Sequence, residues 1–191
     1  MGNLSSKRII DIWLSLAAVV VLSPVLAFIA VVIKISSKGP IVFTQQRAGK
    51  DGTEFTLYKF RTMKIDADPF GQSPSRGEDP RLIKGGKFLR EYSLDELPQL
   101  FNVLKGDMSI VGPRPLYISQ ISQLSDYHKN RLLVRPGLTG LSQIYFRSSL
   151  TDKTTLDMEA EYAERQSLRL DIRIIFLTLG VVLGKKGVYE K

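Results

Sequence analysis

Asp95 and Glu96 stand side by side in the run SLDELPQLFNVLKGDMSIVGPRP, residues 93–115. Two adjacent carboxylates can divide nucleophilic attack and proton carriage between them. Leu97, Leu100, Phe101 and Leu104 recur at i, i+3, i+4 and i+7, so the segment reads as a short amphipathic helix with that stripe buried. Gly106 follows the last apolar position, where a left-handed residue belongs. Two helix starts fit. Ser93 and Glu96 match a capping box, with Tyr92 and Leu97 as a hydrophobic staple. A start at Asp95 instead puts Pro98 in the first turn, where its missing N–H costs nothing. Either start places both carboxylates at a helix N-terminus, whose free N–H groups and dipole favour an ionised side chain and offer a seat for phosphate. Plain helix capping is the competing reading of the same residues.

Cations accompany the pair. Prolines on both sides of Arg114 hold the backbone extended, which lets a guanidinium grip phosphate at low entropic cost. Lys59 and Arg61 project from a β-like segment over 54–62, toward either an anion or solvent along an edge, and a short basic helix predicted over 81–92 carries Lys84, Lys87 and Arg90. RPGLTG, residues 135–140, reads as a tight loop whose free N–H groups could approach a ligand. Gly85, Gly86 and Lys87 lack the spacing of a P-loop.

The elements that must position these groups are read in chain order. Strands are expected over 41–44 and 54–62, joined by a polar turn at 49–52, and over 109–111. A polar loop over 66–80 has the length of a substrate-facing lid. Residues 116–134 read as a polar helix with a thin apolar stripe, 155–166 as a charged helix, and 168–183 as a core or interfacial helix.

Ile12 to Ile33 carries no charge and is long enough for a bilayer, about 33 Å at ~1.5 Å per residue. It continues past Ser23 and Pro24 without a clear cleavage site, which argues against a secretory signal. Proline at the middle bends a helix, and the flanks are basic on both sides, Lys7 and Arg8 before, Lys34 and Lys38 after. A spanning helix would place positive charge on one side, so a re-entrant helix–break–helix bent at Ser23 and Pro24 is favoured. The chain has 191 residues, a 43% hydrophobic content, a net charge of +8 and a pI near 9.7, which suit one domain with an anionic partner. No cysteine is present, and the single histidine, His128, reads as a solvated surface residue.

Taken together these motifs resemble the bacterial sugar transferases, the small monotopic polyprenol-phosphate phosphoglycosyl transferases. The resemblance runs from Lys7 to Thr178 and rests on the central Ser23 and Pro24, YKFRTM (58–63), the 93–115 block, RPGLTGLSQ (135–143) and LDIRI (170–174). It implies a mostly helical α+β fold: a re-entrant membrane helix over 1–38, then a compact catalytic domain over 39–191 with a small β-hairpin and interfacial amphipathic helices. It further implies transfer of a sugar phosphate from a UDP-sugar to undecaprenyl phosphate with release of UMP, on the cytoplasmic face of the bacterial inner membrane. Asp95 would be the nucleophile, forming a phosphoaspartyl-sugar intermediate, and Glu96 its partner, with Mg²⁺ beside Asp95. Lys59, Arg61, Arg90 and Arg114 match cationic positions of the family, and Gln143 with the 136–140 loop, Pro136, Gly137 and Thr139 among it, is expected to contact the nucleotide. Residues 144–147 depart from the Asn-Gly-Arg stretch of many relatives, with Arg147 as the retained arginine. The extra N-terminal membrane bundle of larger relatives is not seen, so the chain looks like the minimal catalytic unit. A non-catalytic peripheral protein holding acidic lipid is the alternative. Nucleic-acid binding fits the charge but no recognition motif. Sugar identity and oligomeric state are not legible.

Overall fold

The computed structural model describes residues 5–67, 79–146 and 153–184. The 66–80 loop falls mostly outside the described residues, and Arg147 lies outside them altogether. Within them the fold is mostly helical α+β. Helix α1 (Ser6–Ser36) leads into an antiparallel hairpin, β1 (Val42–Ala48) and β2 (Glu54–Phe60), in register from Val42 opposite Phe60 to Ala48 opposite Glu54. The turn between them uses Asp51 and Gly52 at positive φ. Then come α2 (Gly86–Glu91), α3 (Gln99–Lys105) and β3 (Ser109–Val111).

The expected long helix over 116–134 is instead a series of short turns. These are α4 (Ile118–Ile121), α5 (Asp126–Lys129) and a 3-10 turn at Asn130–Leu133. Ser125 caps α5, so the chain restarts there rather than continuing. RPGLTG is not a free loop either. Its centre forms β4 (Gly137–Thr139), parallel to β3, and the Gly137 N–H is spent on the Pro113 carbonyl at 2.8 Å. A Cβ on Gly137 would stand 2.0 Å from the Gly112 nitrogen, so glycine is required for the backbones to meet. Helices α6 (Leu141–Tyr145), α7 (Lys153–Arg165) and α8 (Leu168–Leu183) complete the order.

Sequence reading divides the first element at Ser23 and Pro24, whereas α1 runs on through Pro24. Proline there removes the donor to the Val20 carbonyl, four residues back. The Ser23 hydroxyl donates to that same carbonyl at 2.8 Å, so the freed acceptor is satisfied within the helix.

The domain-facing side of α1 changes character along its length. Arg8, Asp11 and Ser15 are buried in its first half, and Ile29 and Ile33 in its second. Arg8 donates to the Val103 and Leu104 carbonyls at 2.6 and 3.0 Å, capping the end of α3. Asp11 accepts from Ser109 Oγ at 2.8 Å and the Ile110 N–H at 3.1 Å. Lys7 reaches Asp171 of α8 at 2.6 Å and the Val111 carbonyl at 3.1 Å. Lys7 and Arg8 are therefore docking groups. The symmetric-flank reading took them for free charges, which they are not. Ile29 and Ile33 pack with Phe60, Ile83 and Leu89, against which Leu94 and Leu97 also lie. The outward side carries exposed Trp13, Val20, Val21, Phe28 and Ile35, and α8 exposes Ile172, Phe176, Leu179 and Leu183.

Candidate active site

Asp95 and Glu96 sit in a single 3-10 turn, Leu94–Glu96, entered through Ser93 in a left-handed conformation (φ 53°). No capping box forms at Ser93, and α3 begins only at Gln99, after Pro98. The buried face of α3 also differs from the expected stripe. Leu100 and Val103 are covered, whereas Phe101 is 45% exposed. Gly106 does take the left-handed C-terminal position (φ 100°).

Leu97 and Pro98 carry helical dihedrals between the Leu94–Glu96 turn and α3, so Asp95 lies at the start of one helical stretch with Pro98 near its beginning. A carboxylate there is favoured in its ionised form by unpaired N–H groups. Burial nevertheless dominates. With the neighbouring charge of Glu96 it raises Asp95 to about 6, against the pull of Lys59 and Arg90. Asp95 is 8% exposed and has no ion-pair partner within 4 Å among the described residues. Glu96 differs. It accepts from Lys59 Nζ at 2.7 Å and lies 3.7 Å from the Arg114 guanidinium.

Each cation is delivered by its own element. Lys59 rides on β2, which Asn102 of α3 staples in place. The Asn102 side chain accepts from the Tyr58 N–H at 3.0 Å and donates to the Thr56 carbonyl at 2.7 Å and to Asp107 at 3.1 Å. Arg90 lies in the last turn of α2. Arg114 stands between Pro113 and Pro115 just beyond β3, and its N–H donates to Glu159 Oε1 at 3.0 Å. Of the sequence-predicted residues, the structure thus gathers Asp95, Glu96, Lys59, Arg90 and Arg114.

Arg61 is not among them. The strand ends at Phe60, and the Arg61 guanidinium turns to the end of α1, donating to the Lys38 and Ser37 carbonyls at 2.6 and 3.0 Å. It is a helix cap. Thr139 is engaged with Thr178 of α8 at 2.7 Å, and Pro136 and Gly137 are buried in the β3–β4 pairing. Gln143 donates to the Leu138 carbonyl at 3.3 Å and leaves its Oε1 buried without a partner. His128 is half-buried against Asp157 at 2.8 Å, not solvated as expected.

Sequence reasoning missed Arg47. It stacks over Tyr117 at 3.6 Å, donates to Gln45 and to the Pro115 carbonyl at 3.1 Å, and acts electrostatically on both Arg114 and Glu96. Burial lowers its pKa first of all. Alternation would have found it, because the register puts Gln45 and Arg47 on the same face as Lys59.

Among the described residues no three His, Cys, Asp or Glu side chains converge on a cation site. Two adjacent carboxylates, one without an ion-pair partner, are nevertheless what Mg²⁺ takes when substrate phosphates supply its other oxygens. Asp95 and Glu96 fit that role.

The family model described as bacterial sugar transferase matches residues 2–185. The chain is 41% identical over 191 residues to the UDP-glucose:undecaprenyl-phosphate glucose-1-phosphate transferase of Escherichia coli (strain K12), covering 96% of this chain and 41% of that protein. It is 38% identical to the UDP-N-acetylgalactosamine-undecaprenyl-phosphate N-acetylgalactosaminephosphotransferase of Aeromonas hydrophila, covering 95% and 44%. It is 36% identical to an uncharacterised sugar transferase, EpsL, of Bacillus subtilis (strain 168), covering 96% and 90%. The chain thus spans less than half the length of the first two, and nearly all of the third. With the family model matched over 2–185 and relatives above 30% identity over almost its whole length, this chain belongs to the bacterial sugar transferase family.

Proposed function

We propose that this chain transfers a sugar phosphate from a UDP-sugar to a polyprenyl phosphate such as undecaprenyl phosphate, releasing UMP. The observation that carries the reading is a buried carboxylate, Asp95, left without an ion-pair partner beside a cation-held Glu96. Desolvation and the charge of Glu96 make its ionised form reactive. A carboxylate oxygen of Asp95 attacks the sugar-bearing phosphorus, the phosphoanhydride bond breaks, and UMP leaves with the electron pair. An oxygen of the lipid phosphate then attacks the same phosphorus, the acyl-phosphate bond breaks and Asp95 is regenerated. One anhydride is exchanged for another, so no ATP is consumed.

Lys59 and Arg114 offset the charge of donor and acceptor, because phosphoryl transfer is catalysed mostly by positioning and electrostatics. Arg90 acts on Asp95 itself. Glu96, already bonded to Lys59, holds that ammonium at the site. Bound Mg²⁺ at Asp95 and Glu96 would supply further neutralisation of the diphosphate. The orphaned Gln143 Oε1 is the candidate acceptor for a nucleotide donor group.

The lipid arm of the reading rests on α1 and α8, whose outward faces are apolar. Helix α1 is long and apolar enough to cross a bilayer. Yet Lys7 at one end and Ile33 near the other are both tied to the same folded body, which supports a helix that enters and leaves by one face. That face is the cytoplasmic one in this reading, at the inner membrane.

The test is UMP release from UDP-glucose, UDP-galactose and UDP-N-acetylgalactosamine with undecaprenyl phosphate and Mg²⁺. Turnover with at least one donor is expected, with a loss of about 10³-fold or more in Asp95→Asn. Near-normal turnover of that variant would sink the proposal and leave a lipid-binding protein in its place. Topology is checked separately. Cysteines introduced near residue 4 and in the 41–50 segment should label from the cytoplasmic side alone. Periplasmic labelling of the first would mean a spanning helix.

A further inference from the structure

Arg131, in the 3-10 turn before β4, and Glu159 of α7 form an ion pair at 2.5 Å, with side chains only 2% and 1% exposed. Burying such a pair is a poor device for stability, since well-packed apolar residues of the same volume often serve as well or better. The pair is attached, however, to one particular place. Glu159 Oε1 accepts the Arg114 N–H at 3.0 Å and the Ser142 hydroxyl at 2.8 Å, while Arg131 Nη2 donates to the Arg114 carbonyl at 2.5 Å.

Accounting for the backbone on either side extends the pattern. The Pro113 carbonyl accepts from Gly137 N–H at 2.8 Å and the Pro115 carbonyl from Arg47 at 3.1 Å. Prolines have no N–H to satisfy. Every main-chain donor and acceptor from Pro113 to Pro115 is therefore taken, and at Arg114 both are taken by one buried ion pair. With its backbone fixed on both sides, the Arg114 side chain projects toward Glu96.

We infer that the Arg131–Glu159 pair is a positioning clamp for Arg114, fixing where its guanidinium meets the phosphate of the substrate. The inference rests on the proposed function, in that Arg114 is taken to be the phosphate-binding group. Arg131 and Glu159 act through Arg114 and are positioning residues. A guanidinium displaced by about 1 Å from the transferring group loses on the order of a hundredfold in rate.

The test removes both charges at once with Arg131→Met and Glu159→Leu, so that neither is left buried alone. Two readouts are taken on the full chain. The first is amide exchange in the 112–116 segment, where the two prolines leave few amides besides that of Arg114. Its protection should fall with the clamp gone, and unchanged protection would overturn the inference without any substrate being involved. The second is a double-mutant cycle on kcat for UMP release, using whichever of the three UDP-sugars the wild type turns over. The pair change should lower kcat about tenfold to a hundredfold in the wild-type background. In the Arg114→Ala background it should change kcat by less than about threefold. Equal losses in the two backgrounds would mean a general structural role and would defeat the clamp. Wild-type turnover of Arg114→Ala alone would overturn the phosphate role of Arg114, and the clamp with it, in a measurement separate from the cycle. Should the pair variant fail to fold, Arg131→Lys keeps charge beside Glu159 but shortens the reach to the Arg114 carbonyl. It runs through the same cycle with the same expectations.

Discussion

Two buried carboxylates, Glu159 and Asp95, have surroundings that could hardly differ more. Glu159 is sealed and provisioned: Arg131, the Ser142 hydroxyl and the Arg114 N–H all converge on it. Asp95 is nearly as well covered but has no ion-pair partner among the described residues. Burial raises the pKa of both. At Glu159 the opposing contacts turn the carboxylate into a structural anchor. At Asp95 the pull of Lys59 and Arg90 offsets only part of the burial cost, a pattern that clusters at functional sites. Glu159 holds the Arg114 backbone, whereas Asp95 has no ion pair of its own among the described residues.

The largest effect should come from breaking the provisioned site from one side. Glu159→Ala leaves the Arg131 guanidinium buried and unpaired and removes the acceptor of the Arg114 N–H. A loss of about 3–5 kcal/mol is expected in chemical denaturation. A loss below about 1 kcal/mol would mean that Glu159 is no anchor, and the contrast with Asp95 would disappear.

The opposite sign is expected at Asp95. Its pKa rises from an ordinary 3.8 to about 6 on folding, so the folded chain binds the proton more tightly than the unfolded one. Its contribution to stability is favourable only while protonated and is lost as pH rises from about 4 through 6. Asp95→Asn should therefore stabilise the protein at pH 7, by something on the order of 2–3 kcal/mol, and leave it nearly unchanged at pH 4. Activity runs the other way, appearing as pH rises past about 6 and the nucleophile ionises. A pH-independent melting difference between wild type and Asp95→Asn would count against an uncompensated carboxylate. Bound Mg²⁺ would shrink the difference by lowering the Asp95 pKa.

Much of the site was legible in advance. Asp95, Glu96 and Arg114 were singled out by residue type and spacing, Lys59 and Arg90 as site residues only by the family resemblance, and the structure gathers all five at one place. Two strands about a polar turn at 49–52, β3 and the bounds of α8 were also readable from their apolar runs, although β1 extends to Ala48 through the polar residues Gln45, Gln46 and Arg47, which give no apolar signal. What could not be read is long-range. Arg61 looks like a neighbour of Lys59, yet one residue past the strand end it answers to the carbonyls of α1. Lys7 and Arg8 look like flanking charges, yet their partners are more than 90 residues away. The start near Asp95 with Pro98 in the first turn matches the helical dihedrals of Leu97 and Pro98, but the expectation that this terminus holds Asp95 ionised gives way to burial, which a sequence does not display. RPGLTG was misread because its glycines signal close approach without saying whether the approaching group is a ligand or another strand.

The smallest effect concerns a third polar group in apolar surroundings, the Val20 carbonyl freed by Pro24. Unlike Asp95 it is compensated, by a single donor one residue before the proline. Ser23→Ala should then cost about 1 kcal/mol in detergent, the net worth of one hydrogen bond, and more in a bilayer, where water cannot stand in. Ser23→Thr, which keeps the hydroxyl, should recover most of it. The pairing matters because a proline in a continuous helix bends it by freeing a carbonyl, and the serine decides whether that carbonyl turns to the helix or to a neighbour. If Ser23→Ala is silent in lipid while Pro24→Ala straightens the helix and changes which side of the membrane labels near residue 4, the bend owes nothing to the serine. If both substitutions shift the labelling, the two residues work as one unit, with the serine keeping the proline's defect inside the helix.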